Sequence, residues 1–189
     1  MIISLSGAIG SGKSTVAQRL AAKLDWPRYY VGGLRREAAQ KRGLTLAEYN
    51  QLGEVDPLTD QEVDDYQKEL GQSQDNFVIE GRTSWYFIPH SLKIYLDVSV
   101  DEGSRRIFSQ LQTKNDRNED KNLLSQEEVK ESMRKRLASD QVRYKKYYDI
   151  DVNDLRHFDF YLDTTPLSPE EVFVAVDAWV EQQLDKVKN

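Results

Sequence analysis

The sequence predicts an α/β fold: one domain built on a doubly wound, mostly parallel sheet flanked by helices. Short runs rich in branched and aromatic residues alternate with segments of helical period, an order that forces parallel pairing through helical crossovers. The first run stops at a glycine loop that opens an amphipathic helix. The length of 189 residues, 39% hydrophobic and 31% charged, suits one globular domain with a sizeable core.

Each element has a local reason. Residues 2–6 form the first apolar run, and Val16, Leu20 and Leu24 with Ala17 and Ala21 then repeat at helical spacing. A second strand spans 28–31, closed by Gly32 and Gly33, and 34–42 follows as helix. Thr45 to Glu48 and Thr59 to Glu62 both have the spacing of a capping box, so 34–73 divides into three short helices. Strands are expected at 76–80 and 92–96, each too short for a helix and each followed or closed by an acid at its carboxyl end. Residues 101–111 read as helix, and 112–122, without any apolar period, as a mobile loop. Ser125 to Glu128 opens a helix running to about residue 148, with Val129, Met133 and Leu137 four apart. The fifth strand is placed at 158–162. Ser168, Pro169 and Glu171 then supply cap, first-turn proline and box acid for a last helix whose apolar face includes Val172, Val176 and Trp179.

Composition narrows the function classes. Lys and Arg number 26 against 32 Asp and Glu, a net charge of −6, which removes the global electrostatic reason to expect a nucleic-acid or membrane-surface binder. The absence of cysteine excludes disulfides, thiolate nucleophiles and Cys-based metal sites, and His90 and His157 are too far apart in sequence to suggest a cluster. Any metal is therefore expected on oxygen ligands. No apolar run approaches the roughly 18 residues of a membrane span, and the start has no basic segment before its apolar stretch, so a cytoplasmic, monomeric protein is expected.

Residues 7–14 satisfy G-x-x-x-x-G-K-S/T, between a strand and an amphipathic helix as that motif requires. Gly7, Gly10 and Gly12 let the backbone curl so that its amides, with those of Ser11, Ser14 and Thr15, face the phosphates of ATP. Lys13 is expected to reach the β- and γ-phosphates, and the Ser14 hydroxyl to ligate Mg²⁺ directly. This predicts a P-loop nucleotide-binding fold. A guanine-reading look-alike, Thr113 to Asp116, ends a helix instead of following a buried strand and is read as chance. Glu80 and Arg82 close the third strand beside the phosphate loop, Glu80 suited to hold Mg²⁺ through water and Arg82 to fork a phosphate. Arg36 follows the second strand and joins the same rim as an acceptor-phosphate clamp. On the helix from 125, Arg136 and Arg143 are expected to be solvated in an open state and to enter on closure, as lid arginines that neutralise a transferring phosphoryl group. The acids of 54–69 read mostly as a solvated face, from which one or two carboxylates reach the amino group of a nucleobase. Arginine is plentiful and no base for an alcohol acceptor stands out, which points to an acceptor that is already a phosphate monoester.

These residues resemble the nucleoside monophosphate kinases, and among them the short, archaeal-like cytidylate kinases. The phosphate loop, the segment 31–39 with Arg36, the acidic stretch 50–64, Glu80-Gly81-Arg82, the run 136–144 and the stretch 163–170 carry the likeness over most of the chain. Thr83 to Tyr86 stands where the family has Leu-Ala-Gly-Trp, Gly33 replaces a common Asp, and 112–124 is longer than the family pattern. The resemblance implies a five-stranded parallel sheet as core (1–31, 74–111, 150–189), an acceptor-binding insert (32–73), and a lid (about 112–149). It implies ATP with Mg²⁺ as donor, CMP or dCMP as acceptor, Arg36, Glu80 and Arg82 as acceptor-binding residues, and Lys13, Arg82, Arg136 and Arg143 as catalytic ones. Two alternatives stay open: a P-loop kinase for another nucleotide or a small metabolite, and a nucleotide-binding regulatory module.

Overall fold

The central strand β1 (Ile2–Gly7) is buried at every position because both its faces and both its edges are covered. The structure, a computed structural model, describes residues 1–113, 120 and 123–188. The remaining elements are α1 (Lys13–Leu24), β2 (Arg28–Tyr30), α2 (Val31–Lys41), α3 (Leu46–Gly53), α4 (Leu58–Ser73), β3 (Phe77–Glu80), α5 (Ser84–Phe87), β4 (Leu92–Asp97), α6 (Val100–Leu111), α7 (Gln126–Tyr148), β5 (Phe160–Asp163) and α8 (Pro169–Lys188). The sheet is parallel throughout, in the order β2-β3-β1-β4-β5. The strand order reverses at β1, so the crevice beyond its carboxyl end is where this architecture takes ligands.

Strand alternation divides the core. Ile3, Leu5, Val78, Ile94 and Leu96 face one way and pack under α1 and α8. Ile2, Phe77 and Ile79 face the other way, toward Val31 of α2 and Val63 and Leu70 of α4. On that second face β1 also presents Ser4 and Ser6, which are buried and satisfied: Ser4 Oγ lies 2.8 Å from Ser91 Oγ, and Ser6 Oγ donates to the Gly81 carbonyl at 2.6 Å. A smaller apolar group, Ile9, Ile107, Val129 and Met133, joins α6 and α7 to the phosphate loop.

The capping boxes at Thr45 and Ser125 form as expected, and Ser168 and Glu171 exchange the same pair of bonds ahead of Pro169. The box expected at Thr59 does not form. Asp56 takes that role by accepting from the Leu58 amide at 3.0 Å, with Pro57 in the first-turn position that its missing N–H suits, while Thr59 lies inside α4 and donates to the Asp56 carbonyl at 3.0 Å. The second strand ends one residue early, at Tyr30, and Gly32 and Gly33 belong to the first turn of α2, where the Tyr30 ring lies directly over them. Two short elements had no sequence signal: α5, and a 3-10 turn at Leu155–His157 ahead of β5, which starts two residues later than expected. Most of the stretch expected as a mobile loop lies outside the described residues, as do positions 114–116 of the guanine-reading look-alike.

One contact fixes α6 against the phosphate loop. Gly10 takes φ +83°, and its α-carbon approaches that of Gly103 so closely that a Cβ on Gly103 would stand 2.6 Å from the Ile9 carbonyl oxygen. In a free helix alanine is better than glycine by about 1 kcal/mol. Here Gly103→Ala is expected to destabilise by about 1–3 kcal/mol through overpacking. Urea unfolding reads the sign, and a stabilised variant would remove the contact as a constraint.

Candidate active site

Gly12, in left-handed conformation at φ 88°, stands at the N-terminus of α1 and supplies no side-chain cap. Its first amides therefore have no side chain to satisfy them, which leaves a helix N-terminus open to an anion. Lys13 is the first residue of that helix, and its Nζ donates to the carbonyls of Gly7 (3.0 Å) and Ala8 (2.5 Å) and lies 3.3 Å from Ser11 Oγ. The ammonium thus sits over the loop where a phosphate chain would pass.

A cavity of about 520 Å³ runs from this loop along the carboxyl ends of the strands to the insert helices. Residues 10–15 line it, together with Arg36, Glu80, Arg82 and Arg136. Gly7 does not; its close neighbour is the Leu96 carbonyl of β4. Ser14 Oγ donates to Glu80 Oε2 at 2.5 Å, so the two residues expected at a metal are brought together. Glu80, 3% exposed, has its other oxygen held by the Arg28 guanidinium, with Nε at 2.8 Å. Arg82, two residues further along, pairs instead with Asp140. Arg36 is buried at the cavity wall and donates to the Tyr30 hydroxyl and, at 3.1 Å, to the Gly32 carbonyl.

Arg143 departs from expectation. It is 0% exposed, does not line the cavity, and bridges Asp60 (2.5 Å) and Asp140. The solvated side of α7 is carried instead by residues such as Arg134 and Lys145, so the charge run on this helix is divided between water and a buried network. Asp60 also takes Arg35, whose Nη1 lies 2.5 Å away and whose Nε donates to Asn50 Oδ1 at 2.7 Å. The result is a row of alternating charge, Arg35–Asp60–Arg143–Asp140–Arg82, through α2, α4, α7 and the end of β3. Burial, with Arg143 close by, lowers the pKa of Arg35.

Asp64, one turn along α4 from Asp60, also lines the cavity and is 4% exposed. Burial pushes its carboxyl up to about 7 against the stabilising hydroxyl of Tyr148. At the opposite end, Arg106 donates to the carbonyls of Thr164 (2.7 Å) and Leu167 (3.3 Å), and to Glu102 at 2.8 Å. It thereby fixes the β5–α8 loop beside the phosphate loop.

The family profile described as cytidylate kinase-like matches residues 2–166. The chain belongs to the cytidylate kinase-like family. It is 36% identical to the cytidylate kinase of Natronomonas pharaonis over 183 residues, covering 95% of this chain and 89% of the relative. With the cytidylate kinase of Pyrococcus abyssi it shares 32% identity over 188 residues, 99% of this chain and 97% of the relative. Among solved structures, the shikimate kinase of Bacteroides thetaiotaomicron superposes with a TM-score of 0.62 at 16% identity, over 96% of this chain and 98% of that one, a likeness of fold.

Within this cytidylate kinase-like chain, sequence reasoning missed Arg28, Arg35 and Arg106. Arg35 carried one available signal: it sits beside Arg36 in the segment that bears the family likeness. Arg28 and Arg106 had none, since each finds its role through a partner or loop brought close by folding.

The alternating row predicts unequal costs. Arg143→Leu takes one of two guanidinium partners from each of two buried carboxylates, Asp60 and Asp140, and is expected to cost about 1–3 kcal/mol in urea unfolding. Arg134→Leu on the exposed side of the same helix is expected to stay within about 0.5 kcal/mol; equal costs would show that the row holds nothing. For Asp64, the folded-state pKa of about 7 lies above the unfolded value of about 3.9, so the folded protein binds the extra proton between them. Stability from this group is complete below about pH 4 and is lost as pH rises through 7. Asp64→Asn is therefore expected to raise Tm at pH 8 but not at pH 4, in paired thermal melts.

Proposed function

We propose that the protein transfers the γ-phosphoryl group of ATP to the phosphate of a nucleoside monophosphate, CMP or dCMP. The observation that carries this reading is that one cavity is lined by both the phosphate loop and six arginines, Arg36, Arg82 and Arg136 among them. A phosphate acceptor needs orientation and neutralisation of charge, and guanidinium forks supply both. Family membership and the named relatives support the cytidine choice.

The roles follow from position. The loop amides and Lys13 hold the donor phosphates, Arg36 and Arg82 clamp the acceptor phosphate, and Arg136 neutralises charge on the phosphoryl group in transit. Arg143, which we assign a positioning role, keeps Asp60 and Asp140 in place. The Ser14 hydroxyl donates a hydrogen bond to Glu80, which leaves its lone pairs available to a cation. Ser14 directly and Glu80 through water are thus fitted to hold Mg²⁺, which supplies neutralisation of the donor phosphates when bound. Among the described residues no His, Cys, Asp or Glu cluster forms a metal cage, and a cation held mainly by nucleotide phosphates requires none.

A coupled ADP assay across the common ribo- and deoxyribonucleoside monophosphates and small alcohols tests the reading. ADP release is expected only with an added acceptor, fastest with CMP or dCMP. Lys13→Ala is expected to lower kcat by about a hundredfold or more with an unchanged melting profile, and Arg36→Ala to raise acceptor KM about tenfold or more. Turnover without an acceptor, or full activity in the Lys13 variant, would overturn the assignment.

A further inference from the structure

Five carboxylates line the cavity, and four of them carry a guanidinium. Asp60 is held by Arg35 and Arg143, Glu80 by Arg28, Glu102 by Arg105 and Arg106, and Asp140 by Arg82 and Arg143. Asp64 is the exception among the described residues: its partners are neutral, the Tyr148 hydroxyl and, at 3.2 Å, the Gln67 side-chain amide.

Both partners are themselves fixed. Gln67 is 0% exposed; Ser84 Oγ donates to its Oε1 at 2.8 Å, so its NH₂ faces Asp64 Oδ1 and Thr83 Oγ1. The reversed amide would set oxygen against carboxylate. Tyr148 is packed among Tyr86, Phe87 and Tyr144, with ring centroids 5.8, 5.2 and 6.5 Å away. The carboxylate is therefore held as an acceptor on the cavity wall. An ionised carboxylate has about four lone-pair positions, and these two bonds use two of them. The buried charge is poorly compensated until a further donor arrives.

We propose that Asp64 reads the acceptor base, accepting a hydrogen bond from an exocyclic amino group and thereby selecting cytosine over uracil. This rests on the reading of the acceptor as a nucleoside monophosphate. Cytosine presents an amino donor where uracil presents an oxo acceptor, and an oxo group against this carboxylate is repelled. Adenine also carries an amino group, so Asp64 sorts amino from oxo and leaves ring size to the rest of the cavity. The pKa of about 7 adds a signature: protonation turns the acceptor into a donor, which suits the oxo group. The charged and titratable groups that act on Asp64 are Asp60 and Lys68 on its own helix, Arg35 on α2 and Tyr148 on α7; on the α5 side, Thr83 and Ser84 are neutral.

The test is steady-state kinetics with CMP and UMP for the wild type, Asp64→Asn and Tyr148→Phe, between pH 6 and 8.5. The acceptor phosphate titrates alike in both substrates, so it cancels in the ratio of their kcat/KM values. In the wild type that ratio is expected to fall as pH drops through about 7. Asp64→Asn is expected to lower it roughly 10- to 100-fold at pH 8 and to flatten its pH dependence, with KM for ATP unchanged. Tyr148→Phe keeps the carboxylate but removes a stabilising donor, so the fall is expected to begin at higher pH; this arm decides the matter should Asp64→Asn not fold. A CMP-phosphorylating Asp64→Asn enzyme with the wild-type ratio and pH profile overturns the role of Asp64 alone. A wild type that phosphorylates neither nucleotide overturns the functional reading, and this inference with it.

Discussion

The side of the cavity formed by α2, α4 and α7 depends on a buried row of alternating charge. Three guanidiniums, Arg35, Arg143 and Arg82, are interleaved with two carboxylates, Asp60 and Asp140. Moving each ion out of water costs several kcal/mol, and only opposite charges on both sides offset it. That condition places helices α2 and α4, the long helix α7 and the end of β3 relative to one another. Tyr147 and Lys146 add bonds from α7 to the Gly53 and Glu54 carbonyls at the end of α3. The row has one more cation than anion, so the side of the cavity it supports is biased toward an anionic ligand before any ligand arrives.

The phosphate-loop side is built differently, from backbone proximity and one arginine. The glycine contact between the phosphate loop and α6 leaves no room for a side chain, and Arg106 ties the β5–α8 loop to the same place. Arg28 and Ser14 meet on the two oxygens of Glu80, which links β2, α1 and β3 around the switch point of the sheet. Phosphate chemistry requires fixed donors at fixed places, and this half supplies them from elements anchored directly on the strands.

Between these halves, Asp64 is a place where stability is given up. A carboxylate this deeply buried with only neutral partners makes the folded state less stable at neutral pH, a pattern that belongs to sites selected for binding rather than for packing. Its support comes from Tyr148 on α7 and from Gln67, which the segment after β3 holds in place. Thr83 to Tyr86 forms the turn that opens α5, where Ser84 orients Gln67 and Trp85 stacks on His157 at 4.5 Å. These residues thus sit beside Asp64, at the far side of the cavity from the phosphate loop.

Much of the fold was legible because its signals are local. Strand runs, helical period, the phosphate loop and the capping boxes at Thr45, Ser125 and Ser168 each depend on residues a few positions apart. The nearness of Glu80 to Ser14 followed too, since a parallel sheet aligns strand ends. Local pattern misled at Thr59, where Asp56 and Pro57 form a better helix start, and at Arg143, where a run of like charges hid a guanidinium that is fully buried. The partners of Arg28, Arg35, Arg82 and Asp64 were decided only by the tertiary structure. A side chain's charge is written in the sequence, but its burial and its counter-ion are set by residues tens of positions away, brought within a few ångströms only after the sheet and the insert have packed.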